Sequence, residues 1–466
     1  MVSRLLDISL RQRMLVIICA LMIGAGGIYA FRTIPIDAFP DVTSVLVQVV
    51  TKAPGLSPAE VERLVTYPIE LQLTGVPSLT EMRSLTKVGL SLITIVFDDS
   101  MDINLARQLV LERLLEVEEQ LPPGAEPMLV PNSTGLGEVY QYYLESPPVS
   151  AAAADAEHQS LIRQRTIQDW VIRPLLKSTP EVIEVNSMGG YVKQYQVLIE
   201  PGMLRKYSLT LRDVFDAVAR NNANAGGNIL EKHAEKYIVR GIGLIRSLQD
   251  IERIVVKETG GTPVYVSDVA QVVIDHAVRH GATVLNGNRE VVSGIVLMLR
   301  GGNARDVVEG IKARIDEIHA KGLLPDGLRI VPFYDRIELI TEALNTVYKS
   351  LAEGVVLVIV VLFLFLGNIR SALIVVGTLV LAPLATFIVM EQIGLTANLM
   401  SLGGLAIAIG MIVDGSVVVV ENVYRHLSHQ PSLPRLQLVT AAVKEVGQPV
   451  VFGILIIILV FLPCRR

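Results

Sequence analysis

Apolar residues are distributed very unevenly along this chain. A first long run covers residues 14–31, enough to cross a bilayer as a helix. From Ile34 to about Glu342 no comparable run occurs, and short apolar stretches alternate with charged ones. Four runs then crowd together at 350–367, 372–390, 395–421 and 447–463. The pattern predicts one membrane span ahead of a large polar domain and four behind it. A cleavable leader is the alternative for the first run, with Ile28-Tyr29-Ala30 as a faint cleavage look-alike. That run, however, exceeds the usual leader core of about 7–15 residues.

Charges beside the runs give an orientation. Arg4, Arg11 and Arg13 place a short segment, 1–13, in the cytoplasm, so residues 34–340 lie outside. The second span returns to a Gly367-Asn368-Ile369-Arg370 turn, and the third exits to Gln392-Ile393-Gly394. The fourth returns to a cytoplasmic loop, 425–446, that carries Arg425, Arg435 and Lys444. The last run is short and would leave Arg465 and Arg466 on the outer side. This predicts a truncated, frameshifted or split chain.

Inside the polar domain, two segments share one pattern. Leu90 to Phe97 reads as a strand, and Asn104 to Gln120 as a helix with Val110, Leu114 and Val117 inward. Leu121-Pro122-Pro123-Gly124 stops that helix, and Glu126 to Val130 resumes as strand. The second copy runs from strand Val291–Leu299 through helix Asn303–Ala320 and stop Leu324-Pro325-Asp326-Gly327 to strand Leu328–Pro332. In both copies an Asn is placed to begin the helix, as an N-cap prefers. Two such βαβ units predict ferredoxin-like α+β subdomains. The stretch from Met188 to Val273, richer in Gly and β-branched residues, reads as an inserted mixed module.

Composition agrees with this division. Mean hydropathy is +0.49 with 51% hydrophobic residues, yet 19% are charged. A net charge of −5 without a basic block argues against nucleic-acid binding. The two cysteines, Cys19 and Cys464, both lie in apolar runs, so the polar domain has no disulfide and no thiol-based metal cluster. No P-loop, dinucleotide fingerprint, nucleophile elbow or His-Glu-x-x-His motif is present. An ATP-driven or enzymatic role is therefore not expected, nor is a cofactor.

The most informative residues lie within the fourth span. Asp414 and Glu421 are seven residues apart, close to two helical turns, which puts both on one face about 10 Å apart. A charge near mid-bilayer costs a few kcal/mol or more and marks function. Two such carboxylates suit a proton path with two stations. The bland alternative for Glu421 is an interfacial ion pair with Arg425. Gly403, Gly404, Gly410 and Gly415 are expected to thin this helix for close packing. His276 and His280 are spaced i, i+4, which would suit a divalent ion on a helix, although the Val-rich surroundings read as strand.

Together these motifs resemble the heavy-metal efflux branch of the resistance–nodulation–division superfamily. The resemblance rests on Pro35-Ile36-Asp37-Ala38-Phe39-Pro40-Asp41, Thr66-Tyr67-Pro68-Ile69-Glu70, Tyr334-Asp335-Arg336 and the block from Asn398 to Asn422. It implies a polytopic α-helical membrane protein with a large periplasmic α+β domain. Residues 34–135 would form one porter subdomain, and 136–340 a second with a docking insert at about 185–270. It further implies the inner-membrane, proton-driven pump subunit of a tripartite system. Such a subunit would be a homotrimer meeting a periplasmic membrane-fusion adaptor and an outer-membrane channel.

The resemblance also assigns the proton relay to Asp414 and Glu421. Asp414-Gly415 departs from the paired aspartates of multidrug pumps, which remain the alternative within the superfamily. A disrupted or split, non-transporting chain is the alternative outside it. Ala408 resembles copper/silver pumps, whereas Gly415, and Val278 and Ile412 in place of methionine rungs, favour divalent zinc, cobalt, cadmium or nickel. Met400 matches one rung of the thioether ladder that suits Cu(I), and fourteen residues places it on the Asp414 face.

Overall fold

The computed structural model describes residues 2–37, 39–147, 154–232, 235–279, 281–325, 327–366, 369–429 and 434–461. The chain opens with a short helix, α1 (Val2–Arg11), followed by the membrane helix α2 (Arg13–Thr33). Both span ends lie close to those expected from hydropathy. Gly27 on α2 has a steric purpose. A Cβ there would approach the Leu384 carbonyl oxygen to 2.6 Å, so only glycine admits the backbone of the helix that carries Leu384.

The first extramembrane unit runs β1 (Leu46–Lys52), α3 (Pro58–Val61), a π-helical turn at 62–66, α4 (Tyr67–Leu73), β2 (Leu79–Lys87), β3 (Leu90–Phe97), α5 (Ile103–Glu118) and β4 (Glu126–Leu129). Its sheet order is β2-β3-β1-β4, antiparallel throughout, which is the ferredoxin-like arrangement. Val47 and Val49 of β1, with Ile93 and Ile95 of β3, alternate inward onto Val110 and Leu114 of α5. The N-cap of α5 is Asp102 rather than the expected Asn104. The Asp102 Oδ1 accepts from the amides of Asn104 and Leu105 at 2.9 Å each.

The second unit repeats the plan with β5 (Glu138–Glu145), α6 (Ala154–Ile167), a π-helical turn at 168–172, α7 (Arg173–Lys177) and β6 (Val182–Met188). Before the sheet resumes, the chain makes an excursion. This insert contains β7 (Lys193–Ile199), α8 (Pro201–Tyr207), α9 (Leu211–Arg220), the hairpin β8 (Ala225–Lys232) and β9 (Glu235–Gly241), and α10 (Leu248–Glu252). It continues with β10 (Val255–Thr259), β11 (Thr262–Tyr265), α11 (Val266–Val269) and β12 (Ala270–His276), which pairs back onto β7. A small hairpin, β13 (Thr283–Leu285) and β14 (Arg289–Val291), leads into β15 (Ser293–Met298), α12 (Ala304–Ala320) and β16 (Arg329–Asp335). The sheet order β16-β5-β15-β6 is again ferredoxin-like, with the insert between its second and third strands. Here Asn303 does cap α12, accepting from the Arg305 amide at 3.1 Å.

Four membrane-directed helices follow: α13 (Arg336–Leu366), α14 (Ile369–Gln392), α15 (Leu399–His429) and α16 (Arg435–Phe461). By length and composition α2, α14, α15 and α16 can each cross a membrane, and α13 carries a shorter described apolar segment, 352–361. Three helix ends lie beyond the apolar runs. Helix α13 starts fourteen residues before 350, because Ile340 and Leu344 give its polar-looking beginning a buried face. Helix α15 continues past Glu421 to His429, and α16 begins at Arg435. Most of the expected loop 425–446 is therefore helical, and the last apolar run forms the second half of a 27-residue helix. Gly367, Asn368, Cys464, Arg465 and Arg466 lie outside the described residues.

The first ferredoxin-like unit has its own apolar core. The core of the second is continuous with the membrane helices. Val139 and Ile311 belong to the same cluster as Ile34, Ile340, Phe387 and Leu405.

Candidate functional site

Helix α15 has packed sides and an open one. Leu402, Leu405 and Ile409 are buried against neighbouring helices. On one side Ser416 accepts a hydrogen bond from Thr378 of α14 at 3.2 Å. On another, Gly415 lets α16 approach, since a Cβ there would lie 3.1 Å from Val450 Cγ1. The third side is open. Gly404, Ile407, Gly410, Asp414, Val418 and Glu421 recur every three or four residues, and all are exposed within this chain. Met400 extends the same stripe at 71% exposure.

Helical spacing thus brings Met400, Asp414 and Glu421 into one line, as the sequence predicts. The glycines divide differently from the expectation. Gly415 alone of the four meets a neighbour, whereas Cβ atoms added at Gly403, Gly404 and Gly410 would meet nothing within 4 Å. The open face is flattened by glycine and carries the carboxylates. Among the described residues Asp414 and Glu421 have no hydrogen bond or ion pair. Arg425 donates instead to the Asn422 Oδ1 at 3.0 Å, so the Glu421–Arg425 pairing is not formed. Asn422 is buried and bridges to α16, donating to the Ala442 carbonyl at 2.9 Å and to Glu445 at 3.1 Å, and His426 lies 2.9 Å from the same Glu445 carboxylate.

His276 ends strand β12, so the helical setting that i, i+4 spacing would call on is not found at this residue, and His280 lies outside the described residues.

One buried contact was not foreseen. Arg336, 3% exposed at the start of α13, donates from Nε to the Asp37 Oδ1 at 2.8 Å, with its Nη2 2.6 Å from the same oxygen. Its Nη1 donates to the Leu136 carbonyl. Asp37 stands four residues past the end of α2, and its amide donates to the Ala397 carbonyl at 3.1 Å, while the Ala397 amide donates to the Pro35 carbonyl at 3.0 Å. One ion pair therefore ties the exit of α2 to the entry of α13 and the second ferredoxin-like unit. A short parallel bridge, Ile36 with Ala397, adds the segment before α15. Both partners stand in motifs that flank spans, but nothing in a sequence pairs residues so far apart.

Residues 5–465 match the model of the AcrB/AcrD/AcrF family. The chain is 43% identical to Protein HelA of Legionella pneumophila and 44% identical to the cobalt-zinc-cadmium resistance protein CzcA of Cupriavidus metallidurans. It is 38% identical to the cation efflux system protein CusA of Escherichia coli. Each alignment covers 99% of this chain and 44% of the relative, so the chain spans less than half the length of these curated relatives. The crystal structure of a heavy metal efflux pump, in its second crystal form, superposes with a TM-score of 0.86 at 37% identity, over 98% of this chain and 44% of that one. With its paired ferredoxin-like units, its membrane helices and the carboxylates on α15, the chain belongs to the AcrB/AcrD/AcrF family, in the branch of heavy-metal cation efflux proteins.

Proposed function

We propose that this chain supplies part of an inner-membrane pump that exports heavy-metal cations in exchange for protons. The observation that carries the reading is Asp414, a carboxylate on the open, glycine-lined face of a helix long enough to span the bilayer. A bare carboxylate facing lipid is costly, so this face needs a protein or water partner. In the proposal, polypeptide corresponding to the rest of the longer relatives provides that cover and the counter-charge. Asp414 and Glu421 then take and release protons in turn. Each proton entering across the membrane potential supplies about 2.3 kcal/mol per 100 mV. Without the covering helices the carboxylates cannot cycle, and this stretch alone does not pump.

Divalent zinc, cobalt, cadmium and nickel are the favoured cargo. The higher identity to the cobalt-zinc-cadmium protein than to CusA supports this, together with Gly415. Met400 on the carboxylate stripe favours the second reading, Cu(I) or Ag(I), because a thioether suits soft cations. A metal-sensitive strain separates the readings. A full-length pump containing this sequence should restore growth on the divalent metals, and the 466-residue chain alone should restore none. Growth restored on copper and silver only would select the second reading. Growth restored by the chain alone would refute the need for cover.

The extramembrane units are proposed to lie in the periplasm as two porter subdomains and a docking insert. The β8–β9 hairpin is exposed along its whole described length, with Ile229, Leu230 and Ile238 outward, which suits insertion into a second copy within a homotrimer. An adaptor and an outer-membrane channel complete the proposed assembly. A single cysteine at Glu231, in a background without native cysteines, should react with a membrane-impermeant thiol reagent in spheroplasts. Protection there, with reaction at His429 instead, would reverse the orientation.

A further inference from the structure

We propose that His158, Asp275 and His276 form a divalent transition-metal site that clasps α6 to strand β12 of the insert. The site is separate from the α15 carboxylates and does not depend on which cation is pumped. Three donors from two elements converge here. The Nε2 atoms of His158 and His276 lie 3.9 and 3.7 Å from one oxygen, the Asp275 Oδ1. The three candidate ligand atoms all fall within 4.8 Å of one another.

Tetrahedral zinc, with bonds of about 2.0–2.2 Å, holds its donors about 3.3 Å apart, so small side-chain rotations would close the site. Two imidazoles and one carboxylate, with a fourth position left for water, suit Zn²⁺, Co²⁺ or Ni²⁺ better than Ca²⁺ or Cu(I). With neutral imidazoles the cluster carries one negative charge, which favours a dication.

The surroundings orient the donors. His276 Nδ1 lies 2.8 Å from the Ala277 carbonyl, an arrangement in which Nδ1 carries the proton and Nε2 keeps its lone pair. Gln196 of β7 donates to the His276 carbonyl at 3.0 Å, and β7 pairs with β12 along its length, fixing the strand end. The Tyr191 ring packs against both imidazoles, with centroids 4.3 Å from His158 and 4.6 Å from His276. Arg279 lies over the outer part of this cluster, 4.4 Å from the Tyr191 ring centroid, and both nearby cations have partners other than the three donors. Arg279 pairs with Glu290, and Lys193, opposite His276 on β7, lies over the Tyr195 ring. His158 and His276 are each about 30% exposed, so the site is shielded yet open to a metal ion.

The test uses the purified full chain in detergent, stripped with a chelator and titrated with CoCl₂ and then ZnCl₂. The expected result is one Co²⁺ bound per chain at this site, with the visible absorption of a four- or five-coordinate N/O complex, displaced by Zn²⁺. His158→Gln, Asp275→Asn and His276→Ala should each weaken that binding at least about ten-fold, whereas His426→Ala should not. Metal should also raise the melting temperature of the wild type but not of these three variants. Metal-free melting unchanged from wild type shows that a variant is folded. Binding equal in the wild type and the folded variants, or no binding in the wild type, would overturn the proposal. If one variant fails to fold, the other two still decide it.

Discussion

Asp414→Asn, made in a full-length pump containing this sequence, should abolish metal resistance while leaving expression and assembly intact. Asn matches Asp in size but can neither release nor take up a proton at neutral pH, so one station of the proposed relay is removed. Because Asp414 is exposed within this chain and makes no hydrogen bond or ion pair among the described residues, the near-isosteric substitution breaks no polar contact of α15. Glu421→Gln should act in the same direction, and Met400→Leu should leave transport of divalent cations unchanged. A merely structural Asp414 would show the opposite balance: resistance retained, or lost together with the protein. Resistance assays beside immunoblots of membrane fractions distinguish these outcomes.

Arg336→Ala should be the most destabilising single change among the charged residues of this chain. Removing one partner of a buried ion pair typically costs about 3–5 kcal/mol, because the other charge is left without compensation. Here the loss also frees the Leu136 carbonyl and unfastens Asp37 at the exit of α2. Arg336→Lys should recover little, since an ammonium cannot reach Asp37 and Leu136 in the fork that guanidinium provides. Asp37→Asn should fall between wild type and Arg336→Ala, and the double variant should cost less than the sum of the two. Thermal melting in detergent reads these differences directly. Additive effects would show that the two side chains do not act as a pair.

The pair stands where the extramembrane and membrane parts of the chain meet. The second ferredoxin-like unit shares its apolar core with the membrane helices, and Arg336 sits where β16 turns into α13. The Ile36–Ala397 bridge and the Asp37 amide join the segment before α15 to the same junction. The first unit keeps a separate core.

What the sequence makes legible follows from periodicity. Strand Leu90–Phe97 and the repeated strand–helix–stop–strand units emerge from local alternation and Pro/Gly punctuation, which the fold preserves. The Asp414–Glu421–Met400 line likewise needs only helical geometry. Helix ends were less legible, because hydropathy stops at the first charges while backbone hydrogen bonding does not. Thus α15 runs on through Arg425 and His426, and α13 begins among charged residues whose apolar neighbours are buried.

The π-helical turns at 62–66 and 168–172, at matching places in the two units, left no periodic signature to read. Each stands just before a proline, Pro68 and Pro174, near the start of the following helix, which is a usable signal in hindsight. Long-range pairings were not legible at all. Asp37 with Arg336, and His158 with Asp275 and His276, are joined by topology, which no local spacing records.

The central claim is that metal export is driven through the α15 carboxylates, and proton flux in proteoliposomes tests it most directly. A full-length pump containing this sequence is reconstituted with a pH-sensitive dye inside, and Zn²⁺ is supplied on the side from which it is loaded. The account predicts zinc-dependent proton movement in the wild type and none in Asp414→Asn, although the variant is present in equal amount. Equal zinc-dependent proton flux in wild type and Asp414→Asn would contradict it.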